Sequence, residues 1–181
     1  MSERYKFHDT EQLYFTTTTV VHWIDLFTRP ELKHIILESL KHCQKKQDLI
    51  IHAWVLMPSH LHMIISSDGK NLSHIFRDFK KHTARALINE IKRINESRKE
   101  WLLRAFERSA AALKRISKYK VWRDGNHPIL LDNARIVSQK LDYIHFNPVE
   151  AEFVDEAENY WYSSARNYVG KVGLLEVEQL V

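Results

Sequence analysis

Residues 49–67 read LIIHAWVLMPSHLHMIISS, and the fold turns on how this stretch is divided. Leu49 to Met57 is nearly all apolar, short and rich in β-branched side chains, which predicts a buried central strand. Pro58-Ser59 interrupts it. From His60 to Ser66 apolar and polar residues alternate, so a second strand begins at the histidines and runs beside the first until Asp68-Gly69 turns the chain. Alternate side chains of a strand share a face, which puts His60 and His62 on one side and Leu61, Met63 and Ile65 on the other. Two imidazoles so placed can grip one divalent ion. On spacing alone the signal is weak, since two strand histidines are more often half-buried sheet residues.

Working outward, Gln12 to Val21 is rich in Thr, Val, Phe and Tyr and reads as a strand. Leu32, Ile35, Ile36, Leu40 and Cys43 recur at helical spacing behind Thr28-Arg29-Pro30, a suitable helix start. Downstream, Asn71 or Ser73 caps a helix from about Leu72 to Ile94. It carries Leu72, Phe76, Phe79, Thr83, Leu87 and Ile91 on one face and the basic stripe Arg77, Lys81 and Arg85 on another. A further helix is expected over 97–117, with Lys114, Arg115, Lys118 and Lys120 clustered at its end. Tyr119 to Trp122 and Pro128 to Leu131 read as short strands around the turn Asp124-Gly125-Asn126. A last helix, capped by Asp132 or Asn133 and ended by Pro148, buries Val137, Leu141 and Ile144. Tyr143 and Asn147, four residues apart, lie side by side on a neighbouring face.

The 181 residues, 44% hydrophobic and 11% aromatic, suffice for one substantial core and not comfortably for two, so one domain is expected. Lys and Arg outnumber Asp and Glu by 27 to 23, a lean toward polyanions too slight to decide a partner. The single cysteine, Cys43, excludes an intramolecular disulfide and a thiolate metal cluster. With no apolar signal core and no run long enough to span a membrane, the expected location is the cytoplasm. No phosphate-binding P-loop is present, so chemistry driven by nucleotide hydrolysis is not indicated.

Tyr143 is a candidate nucleophile only with help. A phenol attacks poorly at neutral pH unless its proton is taken and its target is already polarised, and a nearby metal would do the second. By spacing alone it reads as a core-edge tyrosine, with Asn147 a helix-terminating residue before proline.

Four ordered blocks change that balance: AWVLMPSHLHMII at 53–65, WRDGNHPILL at 122–131, KLDYIHFNPVEAEFV at 140–154 and YSSARNYVG at 162–170. Together they closely resemble the REP-associated tyrosine transposases, relatives of the single-strand insertion-sequence transposases in the HUH superfamily. The resemblance implies an α+β, ferredoxin-like fold: an antiparallel sheet of four or five strands flanked by helices, with the histidine pair on a central strand and the tyrosine helix against it. It implies that His60 and His62 hold a Mg2+ or Mn2+ ion, completed by Asn147, and that Tyr143 is the nucleophile. The implied reaction cleaves and rejoins single-stranded DNA with hairpin or repeat elements through a 5′-phosphotyrosine. Whether the tyrosine acts within its own subunit or across a homodimer stays open. In that setting Arg77, Lys81 and Arg85 become candidate phosphate contacts, and His127 a candidate DNA or second-sphere contact. Two departures stand out. Glu152 occupies a position where the family block usually has glycine, and 95–120 is more charged than the motifs around it. The rival readings are a replication initiator or relaxase of the same superfamily, and a domesticated DNA-binding protein that has kept the fold and lost cleavage.

Overall fold

The computed structural model describes residues 7, 12–111 and 118–180. At its centre lies β3 (His60–Ser67), paired antiparallel with β1 (Tyr14–Thr19) on one side and β2 (Leu49–Leu56) on the other. A two-residue β4 (Ile129–Leu130) pairs with the far side of β1, giving the order β2-β3-β1-β4. With α1 (Pro30–Gln47) between β1 and β2 and α2 (Leu72–Arg93) after β3, this is the ferredoxin-like β-α-β-β-α-β arrangement. Added to it are α3 (Lys99–Ala111) before β4, then α4 (Ala134–Glu150) and the short α5 (Ala165–Tyr168).

Local chemistry sets the helix ends. Pro30 takes the first position of α1, where its missing N–H costs nothing, and Asp48 closes the helix in the left-handed region at φ 56. Asn71 caps α2 by accepting from Ser73 N, and Asn133 caps α4 by accepting from Ile136 N, both at 2.9 Å.

The sheet separates two unequal layers. Tyr14, Trp54, Leu56, Leu61, Met63 and Ile65 face α1 and α2 and join Leu32, Ile36, Phe76, Phe79 and Leu87 in the larger core. Phe15, Ala53, Val55 and Ile64 face the other way and meet Leu131 and Ile144 under α4. A β-bulge shifts the register between Ile51 and Ala53, so the larger layer takes Leu49 and Ile51 before it and Trp54 and Leu56 after it, while Ala53 and Val55 face the smaller layer.

Several elements depart from the sequence-based expectation. β2 is not central but stands at the end of the strand order. It is buried nonetheless, because the segment after α4 covers its open edge: Leu56 N donates to Tyr162 O, Ser164 N to Trp54 O and Glu178 N to Ile51 O, at 2.9–3.0 Å. Residues 119–122 do not form a strand; Trp122 makes only an isolated bridge to Val20. Pro148 does not end α4, which runs on to Glu150. A proline in the last turn forfeits one helical bond, and the turn still closes through Ala151 N to Asn147 O and Phe153 N to Pro148 O. Of the helix expected over 97–117, α3 accounts for Lys99–Ala111; the positions of Leu113, Lys114, Arg115 and Ile116 lie outside the described residues. No helix among the described residues is long and apolar enough to cross a membrane.

Candidate active site

Strand alternation aims His60 and His62 away from the larger core, toward α4, while Leu61 and Met63 between and beside them are fully buried. Their rings lie 4.6 Å apart between centroids. Each has its Nδ1 engaged by a hydroxyl: Thr17 Oγ1 lies 2.8 Å from His62 Nδ1, and Ser59 Oγ 3.0 Å from His60 Nδ1. Thr17 is the residue opposite His62 in the β1–β3 register, which fixes that contact. With the hydroxyl accepting from Nδ1–H, the lone pair of each imidazole stands on Nε2.

Burial lowers the His60 pKa, with Asp25 partly opposing. Burial, then the charges of His60 and Lys140, brings His62 down to about 3. Both rings are therefore neutral near pH 7, the form able to bind a cation.

α4 brings Tyr143 to this pair. Its hydroxyl lies 3.4 Å from His62 Nε2, at the long end of hydrogen bonding, and its ring packs edge-on to His62 at 5.1 Å. Phe15 stacks on His62 at 5.4 Å and holds the tyrosine ring edge-on from the other side at 5.9 Å. Tyr143 is nevertheless 40% exposed, while His62, at 5%, is buried. Lys140, one turn earlier on α4, places its ammonium 4.7 Å from the Phe15 ring and 5.4 Å from the Tyr143 ring.

Asn147 follows Tyr143 by one turn and is half-buried, and its side-chain amide makes no hydrogen bond among the described residues. His60, His62 and Asn147 are the side chains here that could hold a metal. No group of three or more His, Cys, Asp or Glu suited to one occurs among the described residues, so a third donor has to be of another type, such as an amide.

The basic stripe is split by its surroundings. α2 packs on the sheet face opposite the histidines, so Arg77, Lys81 and Arg85 do not flank the pair directly. All three are exposed, and Arg77 pairs with Asp78 at 2.9 Å. Arg77 and Lys81, but not Arg85, line a cleft of about 400 Å3 against the 119–126 segment. Lys80, between them, turns inward and donates to the carbonyls of Arg123 and Gly125. Burial, with Lys120 adding to it, brings Lys80 down to about 8. His127 is exposed in the adjoining turn at φ 43, its ring folded back over Gly125, where a Cβ would meet His127 Nε2 at 3.4 Å. That turn touches the sheet beside the site, since Thr17 N donates to Asn126 O at 3.2 Å.

Thr17, Ser59, Phe15 and Lys140 are absent from the sequence-based set. Lys140 had a signal, three residues before Tyr143 on one helix face. Thr17 and Phe15 had none, because strand register across 45 residues is not encoded locally.

The sequence model of a family described as IS200-like transposase matches residues 16–125, a span that includes the histidine pair and stops short of Tyr143. The fold resembles a solved structure described as a REP-associated tyrosine transposase bound to a REP hairpin. The TM-score is 0.63 at 20% identity, over 100% of this chain and 94% of that one. At that identity the likeness speaks for the fold. Among curated proteins, nothing matches.

Proposed function

Because the chain belongs to the IS200-like transposase family, we propose that it cleaves and rejoins single-stranded, hairpin-bearing DNA, with Tyr143 as nucleophile and His60, His62 and Asn147 as the holders of a divalent cation. The observation that carries this reading is the hydroxyl of Tyr143, a residue 40% exposed, 3.4 Å from Nε2 of a buried, neutral His62.

Tyr143 Oη gives up its proton to solvent and attacks the phosphorus; a P–Oη bond forms as the P–O3′ bond breaks, leaving a 5′-phosphotyrosine and a 3′-oxygen that takes up a proton from solvent. Attack by another 3′-hydroxyl reverses the exchange, so the phosphoester is conserved without a nucleotide. Phe15 and His62 fix the tyrosine ring by edge contacts on two sides, limiting the rotation the phenol must give up before attack. Lys140 places a positive charge beside the phenol and the incoming phosphate. Thr17 and Ser59 orient the imidazoles through Nδ1. The donor set fits a cation: two neutral imidazoles with oriented rings, and the Asn147 amide, which makes no hydrogen bond among the described residues. When bound there, Mg2+ or Mn2+ supplies Lewis-acid polarisation of the phosphate. Arg77, Lys81, Arg85 and His127 are the backbone-contacting residues of this reading.

The test is incubation with labelled single-stranded DNA from the flanks of its own gene, with Mn2+ or Mg2+, followed by mass spectrometry of the trapped adduct. The expected result is phosphate on Tyr143 and a Tyr143→Phe variant that binds DNA as before while its cleavage falls more than about 10³-fold. Phosphate on another tyrosine, or cleavage by the Phe variant, overturns the assignment.

A further inference from the structure

β1 ends opposite His60, and the chain then makes one tight turn, Val21–Trp23, whose backbone is unusual. His22 and Trp23 both lie at φ 56, in the left-handed region that non-glycine residues rarely enter. The neighbouring structure holds them there. Val21 N donates to Val121 O at 2.8 Å, His22 Nε2 lies 2.9 Å from Ser109 Oγ, and Ile24 beyond the turn is buried. The result is a tryptophan carried out of the surface, 54% exposed, with its edge against His60 at 5.4 Å.

The indole has a guanidinium beside its exposed face. Arg123 stands over its ring at 5.9 Å, tied to the sheet through Arg123 N and Thr19 O at 2.9 Å. Beside the turn opens a cleft of about 740 Å3 lined by the cations Arg108, Lys120 and Arg123 with His22 and one carboxylate, Asp124, which pairs with Lys120 at 2.7 Å. Lys120 and Arg123 also line the neighbouring cleft that holds Arg77 and Lys81. Cations thus lead from the α2 surface to the indole, and the indole touches a histidine of the candidate metal pair. An exposed aromatic ring at the end of such a channel is the arrangement that binds a single strand: cations track the backbone and the ring stacks a base.

We propose that Trp23 is the stacking platform for one base of the single strand next to the scissile phosphate, and that Arg123 takes an adjacent phosphate. This rests on the reading of the chain as a single-strand-cleaving enzyme. It adds a base contact that neither the His pair nor Tyr143 provides. A ring reads any base by its face, so the contact is tolerant of sequence and specific for unpaired DNA, whose bases can leave the stack.

The probe is fluorescein-labelled oligo(dT), titrated by anisotropy at several salt concentrations without divalent metal. Trp23→Ala is expected to weaken binding by about fivefold to about 100-fold with an unchanged salt slope, because no phosphate contact is lost. Trp23→Phe is expected to recover most of that loss. Arg123→Ala should instead lower the slope by about one. Ultraviolet crosslinking of an iodouracil-substituted oligonucleotide should mark Trp23. Unchanged affinity of Trp23→Ala overturns the proposal. So does a loss accompanied by a reduced slope, which would mean that the turn only positions the cations. If the wild-type protein fails to bind oligo(dT) at all, the single-strand reading falls and takes this proposal with it, an outcome distinct from the other two.

Discussion

The two faces of β3 are built from neighbouring residues and have opposite chemistry. Leu61, Met63 and Ile65 face α1 and α2 in a large apolar layer; His60 and His62, interleaved with them, face α4 across a much smaller one. The small layer leaves room for polar groups: Thr17 on His62, Ser59 on His60, and a tyrosine that is only partly covered. One face can therefore carry most of the hydrophobic free energy while the other holds side chains that burial alone would disfavour. If this division is real, substitutions a single residue apart should damage different properties.

The largest effect is expected on the apolar face. Met63 is fully buried among the α1 and α2 side chains, so Met63→Ala should cost about 2–5 kcal/mol of stability. Urea unfolding reads the loss, and cleavage assayed well below the midpoint should stay near wild type. A parallel loss of cleavage at a temperature where the variant is folded would break the division.

Acid titration separates the faces by window. On the polar side, burial lowers the pKa of His52, whose ring bridges Ser66 Oγ and Glu178 O at 2.9 Å. A histidine depressed on folding stabilises the neutral protein, and that contribution is lost as pH falls below about 6.5. On the other side, Glu96 has a side chain only 1% exposed between Arg29 and Arg98, each 3.1 Å away. Burial opposes its charge, but the hydrogen bonds and charge of Arg98 and Arg29 outweigh it and hold the carboxyl at about 2. A depressed carboxyl stabilises above its unfolded value of 4.5, and the benefit disappears as pH falls from there toward 2. Unfolding free energy measured against pH should thus begin to decline below about 6.5 and steepen below 4.5, where Glu96 adds to the buried histidines, His62 at about 3 among them. Glu96→Gln should remove the added steepness and leave the onset; an unchanged slope below 4.5 would dissociate Glu96 from acid sensitivity.

Thr17→Val sharpens the comparison from the polar side. It removes the oxygen 2.8 Å from His62 Nδ1 and keeps the shape and strand preference of the side chain. Cation affinity or cleavage should fall about 10- to 100-fold with stability close to wild type. Calorimetric Mn2+ titration reads it directly, and equal affinity would show that His62 needs no orienting partner.

How much of this was legible in the sequence follows the range of the interactions. The histidine pair, its apolar counterparts and the Tyr143–Asn147 spacing are local periodicities, and the chain keeps them. The ferredoxin-like order followed from the resemblance of four blocks and agrees with the strand order. What escaped were long-range facts. β2 looks central because it is apolar throughout, yet it is an edge strand covered by residues more than 100 positions later. Thr17 meets His62 through register, and Trp23 meets His60 through a turn that no sequence rule would give to histidine and tryptophan at positive φ.

The smallest expected effect lies at the end of the tyrosine helix. Glu152 stands where the resembling family usually has glycine, and its φ is 58. The position closes α4: Glu152 N donates to Val149 O and Phe153 N to Pro148 O, both at 2.9 Å, a turn that needs a left-handed residue just past the helix. A side chain there pays a Cβ clash that glycine avoids, against the greater chain entropy glycine loses on folding. The first is the larger at a position already locked left-handed, so Glu152→Gly should stabilise by about 0.5–1 kcal/mol. It removes one negative charge from the exposed end of α4 and leaves Tyr143, two and a half turns back, on its own helical bonds. Thermal unfolding should show a midpoint a few degrees higher with cleavage unchanged. A lower midpoint would mean that the glutamate side chain makes a contact in solution worth more than the strain of its backbone.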